Sequence, residues 1–412
     1  MIVQGQGGTG KTTLIQAITE SMKGLDADQY LGKTATSGIA ASPIGGTTVH
    51  SYFGVPAIIK SRDWVSSSSK DIKKRRVKNL AQKRVVFIDE MSMLTKTMLC
   101  NTSQVAQTVK GEHPETVSNS TLPFGGMHIV LFGDLHQFPP VGGDALYLET
   151  AKDRGALGRA IYLQFRTVVI LKEQKRSWDP GWTEILDRAR VGECTDEDVD
   201  EVNKLCILDP RCIVPDFSDP AWSQALLVTP RHSLREEWNN SALRKFCQEN
   251  GLRRYSFKAQ DVDTFTNEEP RLDYRIALAG SKTKQTGRLP GRVEIAKGMK
   301  IMVLLNVATE ADVANGTRGV IEDFWLDPEE KPVEQPDGSI LLSRPPAVIF
   351  FRPDLPAIAR FSGVPDGVIP LTPSTNSFDV PKDRSIKNGP KIRVKRRQYA
   401  ITGAYAFTDY KS

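Results

Sequence analysis

The sequence is poor in the features that mark secreted, membrane-spanning or metal-held proteins. Cysteine is scarce, with only Cys100, Cys194, Cys206, Cys212 and Cys247 among 412 residues. The number is odd and no two form a C-x-x-C pair, so neither a disulfide framework nor a zinc or redox motif is written there. The five histidines lack ligand spacing. Reduced, buried thiols in an intracellular protein are the expectation. No run approaches the ~18 apolar residues of a membrane span. No signal or transit segment precedes the first expected strand, which opens at Ile2. No internal repeat is evident. A large charge excess is missing too: 55 Lys+Arg against 49 Asp+Glu leave +6. That balance permits a nucleic-acid partner without demanding one. The length suggests two to four domains.

What is present concentrates at the start, "MIVQGQGGTGKTTLIQ". Four glycines fall within six residues, Gly5 to Gly10, and a lysine follows. Glycine is costly wherever backbone must be ordered, so the cluster needs a reason. Gly5, Gly10, Lys11 and Thr12 fit G-x-x-x-x-G-K-[ST], the P-loop. Such a loop turns successive backbone N–H groups inward as a nest for phosphate oxygens. The helix after it points its positive end at the same anion. Gly5, Gly7, Gly8, Thr9, Gly10, Lys11, Thr12 and Thr13 are therefore the expected ATP-binding set. Lys11 would reach the β- and γ-phosphates, and the Thr12 hydroxyl would ligate Mg²⁺.

Along the chain, "VVFIDEMSML" and "MHIVLFGDLHQFPPVGG" are apolar strands that run into acidic residues. With helical stretches between them, they point to a doubly wound parallel sheet with its site at the strand C-termini. "TVVILKEQKRSWDPGWTEILDRARVG" is expected to open a second α/β unit, and after Gly298 short strands between Pro, Gly and Asp turns suggest a β-rich module. The expected division is 1–170, 171–297, 298–395 and a return over 396–412.

Asp89 and Glu90 after "VVFI" form a Walker-B arrangement. Asp89 would hold Mg²⁺ through its water shell and Glu90 would polarise the attacking water. Their strand is expected to lie beside the first. Gln137 in "GDLHQFPP" reads either as a γ-phosphate sensor or as a polar strand end. Arg176 in "LKEQKRS" reads either as a finger reaching across a cleft or as one more exposed basic residue. "KKRR" over 73–76 is most simply a solvated helix face. "KIRVKRR" over 391–397 alternates and is a candidate for phosphate contact.

At this point the residues resemble a family. "QGQGGTGKTTLI", "TATSGIAASPIGGTTVHSYFGV", "VVFIDEMSML", "IVLFGDLHQFPPV", "LKEQKRS" and "ANGTRGVIEDF" occur in the order seen in Pif-type (petite integration frequency) DNA helicases. Helitron-transposon helicases are relatives of that family, whose members are superfamily-one motors. The resemblance implies an α/β fold of two RecA-like P-loop lobes, parallel sheets flanked by helices, with a small SH3-like β-rich insertion. It implies ATP-driven 5′-to-3′ movement on single-stranded DNA and duplex unwinding, in repair, recombination or telomere maintenance. ATP and Mg²⁺ are the implied cofactors. Single-stranded DNA and duplex junctions are the implied partners of a monomer, with no membrane.

The resemblance makes Gln137 and Arg176 ATP-site residues, beside Lys11, Asp89 and Glu90. It makes Thr36, Ser37, His50, Tyr52, Arg397, Thr408 and Lys411 candidate DNA contacts. Hydroxyls at such positions bind phosphates without reading sequence, and a tyrosine can stack on a base. Two departures stand out. The family's adenine-contacting segment before the P-loop is not in this sequence, and "AYAFTDYKS" stops where the family continues. The sequence is therefore expected to be truncated at both ends and to unwind poorly. The rival readings are a catalytically impaired nucleotide- or DNA-binding fragment and a P-loop ATPase acting on protein.

Overall fold

The central strands of the amino-terminal half form because short apolar runs alternate with amphipathic helices, and those runs are buried on both faces, whereas the edge run Val168–Leu171 is largely exposed. The computed structural model describes the chain except residues 57–58, 60–62, 113–116, 150–152, 218, 220–221, 223–224, 282, 306, 308–312, 314, 355–360, 383–388 and 408–412. It divides into two units, Met1–Phe217 and Ser218–Ser412.

Among the described residues the first unit carries six strands: β1 (Ile2–Gly5), β2 (Leu31–Ala35), β3 (Thr47–Thr48), β4 (Val85–Asp89), β5 (His128–Gly133) and β6 (Val168–Leu171). Every pairing is parallel, in the order β3-β2-β4-β5-β1-β6. The helices are α1 (Lys11–Gly24), α2 (Gly38–Ala41), α3 (Val49–Phe53), α4 (Lys70–Leu80), α5 (Lys96–Gly111), α6 (Arg154–Tyr162), α7 (Pro180–Val191) and α8 (Asp196–Asn203). Alternation along the strands feeds two cores. Val86, Ile88, Ile129 and Leu131 pack on one face with Phe53, Leu80, Leu99 and Val105. Phe87, Val130 and Phe132 pack on the other with Val3 and Ile15. A sheet covered on both sides reads as continuous apolar sequence, which is why these strands were legible.

Three expectations need correction. β4 does not lie beside β1, because β5 sits between them. The strand expected to open a second unit, β6, is the edge strand of the first sheet, with Ile2 opposite Val168 and Gly5 opposite Leu171. A four-residue apolar run looks the same in either sheet. The "KKRR" run is not wholly solvated: Lys73, Lys74 and Arg75 are exposed, but Arg76 is 2% exposed. Its guanidinium donates to Phe53 O at 3.2 Å, Val65 O at 2.9 Å and Gly54 O at 2.9 Å. One arginine thereby satisfies three loop carbonyls that would otherwise be left short of partners.

The second unit is β-rich, and its β character begins before Gly298. β8 (Tyr255–Lys258) pairs antiparallel with β10 (Arg292–Ile295) and parallel with β14 (Ile340–Leu342). β9 (Gln260–Asp263) pairs with β18 (Lys391–Gln398), which in turn pairs with β17 (Ser374–Pro381). A five-stranded antiparallel sheet is made of β11 (Lys300–Val303), β12 (Arg318–Trp325), β15 (Val348–Pro353), β16 (Ile369–Leu371) and β19 (Ile401–Gly403). Parallel character persists at β7 (Leu227–Val228) with β20 (Ala406–Phe407), beside the helix His232–Glu249. Asn239 of that helix accepts the Tyr405 and Ala406 amides at 2.9 and 2.8 Å, fixing the start of β20. The five cysteines are free thiols. Cys100 and Cys247 are buried as expected, whereas Cys194 and Cys206 are exposed.

Candidate nucleotide site at the carboxyl edge of the first sheet

β1 delivers the loop to the C-terminal edge of the sheet. Gly10 takes a left-handed conformation, φ 87°, and caps α1 with no side-chain bond. The first helical amides therefore remain available to an anion. Thr9 braces the loop by donating its hydroxyl to Gln6 O at 2.9 Å. Lys11 Nζ donates to Gly5 O at 2.7 Å and Gln6 O at 2.9 Å. Burial pushes the Lys11 amine below the ordinary lysine range. Asp134, Glu90 and Asp89 pull it back up, and Arg176 pushes it down. The cation thus sits among three carboxylates contributed by β4 and β5.

Asp89 closes β4, and its Oδ1 accepts the Glu90 amide at 2.9 Å. Burial raises its carboxyl above the usual range, against the Glu90 amide and Lys11. Glu90 adopts φ 56°, a left-handed conformation that costs a side chain ~1–2 kcal/mol. Mg²⁺ takes one or two protein oxygens and keeps waters and phosphate oxygens for the rest. The Thr12 hydroxyl at the head of α1 and the Asp89 carboxylate fit such an ion. Among the described residues no group of three His, Cys, Asp or Glu side chains could hold a metal ion.

Asp134 follows β5 and is 1% exposed. Arg190, in the last turn of α7, grips it with both Nη1 and Nη2. The His136 amide donates to Asp134 Oδ1 at 3.1 Å, and the Gln137 amide to the Asp134 carbonyl at 3.0 Å. Burial alone would raise the Asp134 carboxyl, but Arg190 and the His136 amide outweigh it and hold the group below its usual range.

A strap runs over the loop after β6. Gln174 Nε2 donates to Gly7 O at 2.9 Å and the Lys175 amide to Gly8 O at 2.8 Å. Gln174 Oε1 accepts the Arg176 amide at 2.9 Å. A Cβ placed on Gly7 would lie 4.0 Å from both Arg176 Nη1 and Gln137 Nε2. The structure therefore brings Lys11, Asp89, Glu90, Gln137 and Arg176 to one edge. Arg176 does so from the first unit rather than from a second lobe. The residues missed in the sequence are Gln174, Asp187 and Arg190. Asp187 accepts Gln6 Nε2 at 2.6 Å. No local signal marks them, because their partners lie tens to more than a hundred residues away in sequence.

The proposed DNA contacts divide. Thr36 and Ser37 follow β2 and His50 follows β3, so all three share the C-terminal edge with the P-loop. Thr36 is tied to the Walker-B turn: its amide donates to Asp89 O at 3.3 Å and its hydroxyl to Glu90 O at 3.2 Å. Ser37 caps α2 by accepting the Ala40 amide at 3.2 Å, and His50 is exposed. Tyr52 is a correction. It is 8% exposed, packs edge-on to Phe53 with centroids 5.4 Å apart, and donates its hydroxyl to Asn79 O at 2.7 Å. No base can stack on it. Tyr52→Ala is expected to lower unfolding stability by about 3–5 kcal/mol, and Tyr52→Phe to leave DNA affinity unchanged. Urea melts and a binding titration check the pair. Arg397 lies on β18, where Lys391, Arg393, Lys395 and Arg397 alternate outward. Arg396 points inward and donates to both Asp261 oxygens at 2.7 Å. Thr408 and Lys411 lie outside the described residues.

Sheet order, phosphate cradle and the carboxylates at neighbouring strand ends define the class: a RecA-like P-loop unit, in an α/β chain with a β-rich region. Residues 1–154 match the family model described as PIF1-like helicase. Invertebrate iridescent virus 6 protein 030L is 26% identical over 341 residues, covering 79% of this chain and 60% of that protein. Saccharomyces cerevisiae ATP-dependent DNA helicase PIF1 is 27% identical over 331 residues, covering 79% of this chain and 34% of that protein. Among solved structures, Bacteroides Pif1 with ADP-AlF3 and single-stranded DNA aligns with a TM-score of 0.58 at 21% identity, covering 99% of this chain and 78% of that one. A complex described as two coordinating Pif1 helicases at forked DNA aligns with a TM-score of 0.59 at 20% identity, covering 99% and 77%. At such identity the structural likeness speaks for the fold, RecA-like lobes included. The amino-terminal residues 1–154 thus resemble PIF1-like helicases in sequence, and the chain as a whole resembles Pif1 helicases in fold.

Proposed function

We propose that the protein is an ATP-dependent DNA helicase that couples ATP hydrolysis to 5′-to-3′ movement on single-stranded DNA and opens duplex junctions. The observation that carries this reading is the convergence of Lys11, Asp89, Glu90, Gln137 and Arg176 on one phosphate cradle. The cradle is set in a chain that spans 60% and 34% of the two relatives named above. The loop amides and α1 would hold the triphosphate, and Lys11 would leave the Gly5 and Gln6 carbonyls for the β- and γ-phosphates. Thr12 and Asp89 would hold Mg²⁺, which would supply charge neutralisation for the triphosphate. Glu90 would take the proton of the attacking water. Gln137 would orient that water, and Arg176 would meet charge on the transferred group, a role worth ~10³–10⁵ in rate. Roles in repair, recombination or telomere maintenance are part of the same proposal.

The test is ATP turnover with and without single-stranded DNA, then unwinding of duplexes with 5′ or 3′ tails. Stimulation by DNA is expected, with unwinding weak and confined to the 5′-tailed duplex. Turnover indifferent to DNA would point to a partner of another kind.

Two predictions arise here. Glu90→Gln keeps Mg²⁺ and phosphate contacts but removes the water-activating base. ATP should bind with near-normal affinity and turn over at least about 10²-fold more slowly, as a filter-retention assay would show. Affinity for single-stranded DNA should fall as salt rises, with a slope of roughly −0.7 per phosphate contact. Lys395→Ala with Arg397→Ala on the outward face of β18 should flatten that slope by about 1.4, with little change in sequence preference. An unaltered slope removes β18 from the DNA surface.

A further inference from the structure

The nucleotide site has a contributor that none of its motifs contains. Helix α7 has no fully buried residue, although Trp182 and Ile185 are half-buried. Polar bonds tie it to the site: Asp187 accepts Gln6 Nε2 of the P-loop, and Arg190 grips Asp134. Asp134 is almost wholly enclosed, and Arg190 itself is only one-fifth exposed. A buried carboxylate needs a paired cation, and truncating one partner leaves the other charged and unsatisfied. Lys11 also feels the Asp134 charge, and among the carboxylates acting on Lys11 the attraction of Asp134 is foremost.

We propose that Arg190 is a positioning residue for ATP binding and hydrolysis, acting through Asp134 in two separable ways. The proposal rests on the nucleotide-site reading above. First, the guanidinium balances the Asp134 charge, so that Lys11 is free to leave its loop carbonyls for phosphate. Second, its two-pronged grip fixes the carboxylate that accepts the His136 amide. The Asp134 carbonyl in the same turn accepts the Gln137 amide, and this sets the Gln137 side chain near Gly7. The first effect belongs to nucleotide affinity and needs only a positive charge. The second belongs to turnover and needs the planar fork that lysine lacks.

The experiment separates the two effects. Binding of a fluorescent ATP analogue and ATP turnover are measured on the full chain for the wild type, Arg190→Ala, Arg190→Lys, Asp134→Asn and the double variant Arg190→Ala/Asp134→Asn. Arg190→Ala should bind the nucleotide about tenfold more weakly, the effect of ~1.4 kcal/mol, because Asp134 recruits Lys11. Arg190→Lys should bind within about twofold of wild type yet turn over about tenfold more slowly. The double variant should regain affinity but not turnover, since the neutral amide no longer competes for Lys11 while Gln137 stays loose.

A purely structural role predicts the opposite for the double variant: binding as weak as Arg190→Ala or weaker, with losses that follow the melting temperature. That result overturns the proposal. So does Arg190→Lys with wild-type turnover, which decides the matter even if Arg190→Ala fails to fold. Failure of the nucleotide-site reading is distinguishable, because the wild type itself would then not bind the analogue.

Discussion

Lys11→Ala should abolish ATP turnover while leaving the fold intact. Among the described residues Lys11 Nζ donates only to the Gly5 and Gln6 carbonyls of its own loop, and its side chain belongs to neither apolar core of the first unit. Burial already works against its charge, as the lowered affinity for its proton shows, so removing it takes away a group that folding does not favour. Its contribution should appear when phosphate replaces those carbonyls and negative charge builds on the transferred group. Removing one preorganised donor of that kind costs about 10²–10³-fold in rate. A fixed cation beside three carboxylates should lie at the upper end. Turnover below about 1% of wild type with a thermal melt within a few degrees is the expected pair of results. Retained turnover would place the phosphates elsewhere.

Gly8→Ala should be nearly as severe for another reason. Gly8 adopts φ +91°, which a residue with a side chain rarely enters. The added Cβ would sit 2.0 Å from Gln174 Oε1 and 2.7 Å from Arg176 Cβ. The backbone conformation alone costs ~1–2 kcal/mol; the Gln174 amide can swing aside, but Arg176 Cβ can clear the methyl only if the strap lifts. Lifting it breaks the bonds from Gln174 Nε2 to Gly7 O and from the Lys175 amide to Gly8 O, and Arg176 leaves with them. The expected outcome is loss of at least about 10³-fold in turnover, the lower bound for an arginine at this station, with nucleotide affinity weakened as well. If Gly8→Ala alone is as active as wild type, the strap does not carry the arginine.

Much of the first unit was legible because its signals are local. β4 and β5 are apolar on consecutive residues, and each ends at a carboxylate. A run buried on both faces needs no knowledge of its neighbours to be recognised. The order of the strands was not legible, since inserting β5 between β1 and β4 depends on crossovers that leave no periodic mark. The placement of β6 failed for the same reason. Tyr52 looked available for a base because "HSYFG" shows an aromatic pair without showing that α3 turns Tyr52 inward, towards Asn79. Arg76 and Arg396 looked like members of basic runs. One caps loop carbonyls and the other pairs with Asp261, and only packing distinguishes them from their exposed neighbours.

The phosphate cradle was determined by the sequence alone, because it is made of backbone amides on adjacent residues, and a fixed spacing of glycines is enough to turn them inward. The tertiary structure decided which charges face one another. Arg190 lies 56 residues from Asp134, and Asp187 lies 181 from Gln6. A guanidinium selects a carboxylate by distance and burial in space, over a few ångströms, and separation along the chain carries no trace of that choice.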